Sequence, residues 1–101
     1  MPNHIIETVT FRLKDGVGRA AFAKSATAVN DYVNGCAGFI SRRLSCGADG
    51  LWIEHIEWQN MEAAKAAAAG IGAPEGNRPF LSAIDGPSVT MHHTELEISV
   101  N

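Results

Sequence analysis

Apolar and polar positions alternate with a period of two in four stretches of this chain, and recur at about every 3.6 residues in others; that change of period predicts the elements. In His4 to Lys14, Ile5, Val9, Phe11 and Leu13 share one face with Glu7, while Ile6, Thr8, Thr10 and Arg12 take the other, as on a strand. Asp15-Gly16 ends this strand. From Val17 to Asn34 the period becomes helical, with Phe22, Ala26, Val29 and Val33 in one stripe, Tyr32 beside it, and Gly35 as a stop. Gly38 to Cys46 and Gly50 to Asn60 are again extended, joined through Ala48-Asp49-Gly50 as a hairpin. The second of these puts Trp52, Glu54, Ile56 and Trp58 on one face and Leu51, Ile53, His55 and Glu57 on the other. Asn60 is suited to cap the alanine-rich helix that follows, which ends at Gly70 and Gly72. A short helix is expected after Asn77 as its cap, with Pro79 in the first turn and Phe80, Leu81 and Ile84 as anchors. Ser88 to Val100 reads as the last strand, with Val89, Met91 and His93 on one face and Thr90, His92, Thr94, Leu96 and Ile98 on the other.

The order is β-α-β-β-α-β. It predicts an α+β, ferredoxin-like fold: a four-stranded antiparallel sheet with two helices on one face. The opposite face carries Ile6, Thr8, Phe39 or Ile40, and Leu96 or Ile98. Packing that face against a second copy would remove it from water, so the expected assembly is a homodimer whose two sheets pack face to face into a barrel.

Composition narrows the partners. At 101 residues, 46% of them hydrophobic, the chain is one domain, 1–101. A net charge of −3 without a basic run argues against nucleic acid and anionic membranes as partners. No apolar run approaches the roughly 20 residues of a membrane span, and the start MPNHIIETVTF does not read as a signal peptide, so a cytoplasmic location is expected. An extended strand between Cys36 and Cys46 would hold them roughly 25–30 Å apart, far beyond the roughly 7 Å a disulfide tolerates, so both are expected as free thiols. His4, His55, His92 and His93 show no metal-ligand spacing. No predicted helix holds a histidine to ligate haem, and no glycine-rich phosphate loop follows a strand. The expected cofactors and metals are therefore none.

The start HIIETVTFRLKDGV, the strand GFISRRLS and the Glu57-Trp58 pair within IEWQNMEAAKAA resemble the dimeric α/β-barrel superfamily. Within it the chain is most similar to antibiotic biosynthesis monooxygenase-like domains, with stress-responsive α/β-barrel domains next through the KDGV turn. The resemblance spans nearly the whole chain. It implies a pocket between helices and sheet, and a cofactor-independent monooxygenase, or a related cyclase or isomerase, acting on a small aromatic or polyketide-like molecule. The superfamily also implies the alternative of a non-catalytic dimeric module that binds a small ligand or has only a structural role.

Candidate site residues follow. Trp58 matches the family's tryptophan on the third strand, and His93 resembles a polar residue of the fourth. Glu7 lies among apolar neighbours and needs a partner such as His93 or Arg43, so Glu7 and His93 form the candidate acid/base pair. Trp58, Trp52, Phe11, Phe22 and Tyr32 are candidate walls of an apolar pocket, and Arg43 is the candidate for holding an anionic oxygen. Each also has a structural reading. The tryptophans serve as core, Trp52 also as dimer interface; His93 as a hydrogen-bonded structural residue; and Arg42 and Arg43 as cross-hairpin partners of Glu54 or Glu57.

Overall fold

The computed structural model describes residues 3–101. Strands β1 (Ile5–Phe11), β2 (Phe39–Cys46), β3 (Trp52–Trp58) and β4 (Thr90–Glu95) form one antiparallel sheet in the order β2-β3-β1-β4. The crossover from β1 to β2 is helical, α1 (Arg19–Ala26) and α2 (Ala28–Asn34); that from β3 to β4 holds α3 (Met61–Gly70) and the short α4 (Arg78–Ala83). The α+β, ferredoxin-like arrangement expected from the chain is present. Phe22, Ala26, Val29, Val33, Ala64, Ala67 and Phe80 of the helices form a single core with Ile5, Phe11, Trp52, Ile56 and Trp58 of the sheet, so the helices cover one face.

The register explains which side chains reach that core. Glu7 stands opposite Ile56 on one side and His93 on the other, and Phe11 stands opposite Trp52. The inner face therefore holds Ile5, Glu7, Val9 and Phe11 with Trp52, Glu54, Ile56 and Trp58. On β2 the pairing slips by one residue between Phe39 and Ser41, leaving Ile40 as the extra residue of a bulge. Phe39 stays inside, its ring 5.7 Å from that of Trp58, and everything after the bulge changes parity. Arg42, opposite Ile56, points inward, while Arg43, opposite His55, points outward.

The single helix expected over 17–34 is divided at Thr27. Nη1 of Arg42 donates to the Ala26 carbonyl at 2.8 Å, and the Asn30 amide turns to the Thr27 carbonyl at 3.1 Å instead. An inward arginine thus reshapes the helix above it. Asn60 caps α3 as expected, accepting from the Ala63 amide at 2.8 Å. Gly38, at φ 81°, lies directly under that helix; a Cβ there would meet the Cβ of Ala63 at 2.6 Å. Asn77, expected as the cap of α4, makes no capping bond: it is buried and donates to the Ile71 carbonyl at 3.0 Å, tying the loop after α3.

The last strand is shorter than the alternation indicates. Gly86–Ser88 is a 3-10 turn in which the Ser88 hydroxyl accepts the Arg12 amide at 2.8 Å. Glu95 faces Ile5, the first residue of β1, and beyond it one bond follows among the described residues, from the Leu96 amide to the His4 carbonyl at 2.8 Å. Ile98 and Val100 are then 83% and 90% exposed.

Candidate functional site

A cavity of about 320 Å³ lies between the inner sheet face and α2, α3 and α4. Its sheet side is Glu7, Val9 and Phe11 of β1, Glu54, Ile56 and Trp58 of β3, and Met91 of β4. Val29, Tyr32 and Val33, then Ala67, Ala68 and Ile71, then Phe80, Leu81 and Ile84 cover it. The small side chains of α3 leave the space open: Ala64 is packed with no exposure, while Ala67, one turn on, borders the cavity. The wall is mostly apolar with a few polar groups, the usual composition of a small-molecule site.

Those polar groups are specific. Glu7 is 7% exposed, and its Oε1 lies 3.1 Å from Nε2 of His93. Among the described residues Oε2 of Glu7 has no hydrogen-bond partner. His93 does not border the cavity; it sits behind Glu7 on the edge strand, half-buried, with its side chain 21% accessible. Trp58 is 1% exposed, and its indole N–H is the one fully buried side-chain polar atom among the described residues without a partner. An orphaned donor of that kind is uncommon in a folded protein and costs free energy unless something accepts from it. Tyr32 donates its hydroxyl to the Ala67 carbonyl at 2.6 Å, and burial, assisted by Cys36, pushes its phenol above the usual value.

Glu54 is the second buried carboxylate of the wall. Arg42 holds it with Nε at 3.1 and 3.0 Å and Nη2 at 2.8 Å, and fixes itself through Nη1 to Ala26 and, at 2.8 Å, to Oδ1 of Asn30. Burial pushes Glu54 above the ordinary carboxylate range; Arg42 opposes this and the Glu7 charge adds to it. The Arg42 guanidinium lies over the Phe80 ring, 5.6 Å from its centroid.

The chain thus brings Glu7, His93, Trp58, Phe11 and Tyr32 to one region, with His93 one layer out. Three expected positions differ. Arg43 is on the opposite face of the sheet, because the Ile40 bulge inverts the parity of β2. Trp52 and Phe22 pack on each other, ring centroids 4.8 Å apart, outside the cavity. Trp52 stands opposite Phe11 at the far end of the β1–β3 ladder, away from Trp58. Glu54, expected from the sequence only as a cross-hairpin partner of an arginine, is also a cavity residue, sharing a face with both tryptophans in the alternation of β3. Of the cross-hairpin pairs, Arg42 joins Glu54, while Glu57 binds His4 at 2.6 Å. Among the described residues no three His, Cys, Asp or Glu side chains group as a metal site, and Cys36 and Cys46 are free.

No family model and no curated protein matches the chain. Solved structures do. A monooxygenase from the gene ActVA-Orf6 of Streptomyces coelicolor, in complex with Nanaomycin D, is 19% identical with a TM-score of 0.70 over 98% of this chain and 92% of that one. SnoaB, a cofactor-independent oxygenase from Streptomyces nogalater, is 16% identical with a TM-score of 0.66 over 98% and 96%. An antibiotic biosynthesis monooxygenase-type protein of Bordetella bronchiseptica is 11% identical with a TM-score of 0.77 over 95% and 99%. The likeness to antibiotic biosynthesis monooxygenase-like proteins therefore extends over nearly the whole chain as a shared fold. At these identities it carries no residue roles.

Proposed function

We propose that this protein is a small cofactor-independent monooxygenase that oxidises a small aromatic or polyketide-like phenol in the helix–sheet cavity. The observation that carries this reading is that two cavity-lining residues hold polar atoms without a partner among the described residues: the buried indole N–H of Trp58 and the second carboxylate oxygen of Glu7. An apolar ring fits among Phe11, Ile56 and Phe80, a ligand oxygen accepts from Trp58, and a phenolic O–H meets Glu7.

In this reading Glu7 takes the phenolic proton and His93, half-exposed behind it, relays that proton outward. Glu7 is then the catalytic residue and His93 its positioning and relay partner. The phenolate passes one electron to dioxygen, and the resulting phenoxyl radical and superoxide combine at a ring carbon as a peroxide. The peroxide takes a proton back through His93 and Glu7, and loss of the ring proton with cleavage of the O–O bond then releases water and leaves a quinone, so one phenol and one dioxygen give one quinone and one water. Phe11, Trp58 and Tyr32 act as substrate-binding walls.

The assembly is a homodimer through the outer sheet face. Ile40 and Ile53 on that face are 39% and 37% exposed in the isolated chain, and Ile98 and Val100 extend beyond the sheet. A cytoplasmic location accompanies the reading, supported by two unpaired thiols. No helix of the described residues is long and apolar enough to cross a membrane.

One observation favours a second reading. His93 is absent from the cavity wall, so Glu7 and Trp58 could anchor a ligand in a non-catalytic binding module. Aerobic incubation of metal-free protein with anthrone and naphthols separates the two. Quinone absorbance rising faster than in protein-free buffer, and lost in Glu7→Gln, is expected of the oxygenase. No rise with any of them overturns that reading.

A further inference from the structure

The alternation of β3 places Glu54 two residues from the position facing Glu7, so the two carboxylates are diagonal neighbours on adjoining strands. Diagonal positions are about 7–8 Å apart, within reach of one bicyclic guest. Both border the cavity, and both are buried, at 7% and 5% exposure. Each retains acceptor capacity. Glu7 uses one oxygen, on His93. Glu54 accepts three contacts, all from Arg42, and an ionised carboxylate has about four acceptor sites.

The matching cation is kept from the guest. Arg42 spends its N–H groups on Glu54, Ala26 and Asn30 and lies over the ring of Phe80, whose side chain forms that part of the wall. No lysine or arginine borders the cavity among the described residues. Arg43, expected to meet an anion, is on the other face. The lining residues thus include two carboxylates, with no positive charge to receive an anion. An anionic guest would be buried beside two carboxylates unpaired, which is costly.

We propose that Glu54, held by Arg42, is a specificity-determining residue: the cavity selects neutral aromatic guests bearing two hydroxyl donors, one for Glu7 and one for Glu54, and rejects carboxylated ones. The inference rests on the cavity being a phenol site, and it names the guest's donor pattern. The elevated affinity of Glu54 for protons agrees with it, since a donor from the guest would offset the burial that Arg42 alone does not.

The test is binding under nitrogen, where no oxidation occurs, read by tryptophan fluorescence or calorimetry. The probes are naphthol, a naphthalenediol with one hydroxyl on each ring, its dimethyl ether, and a hydroxynaphthoate. The diol is expected to bind on the order of tenfold tighter than naphthol, as a hydrogen bond to a charged group allows. The ether should lose that gain, and the hydroxynaphthoate should bind more weakly than naphthol. Glu54→Gln should bring the diol-to-naphthol ratio close to unity, whereas a purely structural change would weaken both alike. Should that variant not fold, Arg42→Met/Glu54→Leu replaces the pair with apolar groups and is expected to abolish the same preference. A diol no tighter than naphthol, a hydroxynaphthoate as tight or tighter, a ratio unchanged in the variants, or no binding by any probe overturns the inference. The ranking is independent of turnover: oxidation in air without the ranking defeats this inference alone, and the ranking without oxidation defeats the oxygenase reading alone.

Discussion

Oε1 of Glu7 and Nε2 of His93 face each other at 3.1 Å across the β1–β4 ladder, the carboxylate on the cavity wall and the imidazole behind it. Their order matters more than their distance. A group bordering the cavity can take a proton from a guest, and a half-exposed group behind it can pass that proton on. Glu7→Gln preserves shape and is expected to abolish turnover while shifting stability by no more than about 1 kcal/mol, the usual range of a single net hydrogen bond. His93→Ala should slow turnover without abolishing it. It should also lower stability by about 1–3 kcal/mol, because a buried carboxylate loses its partner. Steady-state kinetics with urea unfolding of both variants reads all of these.

The alanines of α3 separate packing from cavity. Ala64 has no exposed surface, so Ala64→Leu should overpack the helix–sheet contact and cost about 1–3 kcal/mol. The pattern of small residues suggests the same for Ala67, but Ala67 borders the cavity. Ala67→Leu is expected to leave the unfolding midpoint nearly unchanged and to block ligand binding. Equal losses of stability in the two variants would mean that the cavity is closed in solution.

The pH dependence of stability follows from Glu54. Its proton affinity is raised in the folded state, chiefly by burial. Between its unfolded and folded values the native chain therefore binds more protons than the unfolded chain, and this group's contribution falls as pH rises through that interval. It is most favourable below the unfolded value and lost above the folded one. Glu54→Gln removes the dependence, so the stability of the variant minus that of the wild type should increase from acidic to neutral pH. A difference that stays flat or decreases across denaturant titrations at several pH values would contradict this.

Much of the fold is legible in the chain because its signals are local. The period-two stretches, Asp15-Gly16, Ala48-Asp49-Gly50 and the Asn60 cap each act over a few residues, and together they specify βαββαβ. The Glu7–His93 pairing is legible for a related reason: alternation fixes the face once the strands are known. What escapes is set by tertiary partners. The bulge at Ile40 follows from Phe39 packing on Trp58, and one extra residue exchanges the roles of Arg42 and Arg43. The break at Thr27 exists because that same Arg42 takes the Ala26 carbonyl. Asn77 has the composition of a cap but is drawn inward to Ile71. No periodicity encodes such bonds. Glu54 was visible on the face of the tryptophans, yet only the cavity gives that position a meaning.

The outer sheet face provides a separate test. Sedimentation at micromolar concentration is expected to give a dimer, and Ile53→Asp, on that face, to dissociate or unfold it, since an unpaired buried charge costs several kcal/mol. A wild-type species near 10.8 kDa under those conditions would contradict the homodimer.

Trp58 lines the cavity, and its indole N–H is a reporter for a guest bound there. The chain has two tryptophans, so nitrogen-15-labelled protein gives two indole resonances, and Trp58→Phe assigns them. Titration with a naphthalenediol under nitrogen is expected to move the Trp58 resonance downfield, as its orphaned donor acquires an acceptor, and to leave Trp52 in place. A Trp58 resonance that stays fixed through saturation, or movement of Trp52 alone, would contradict the assignment of this cavity as the site.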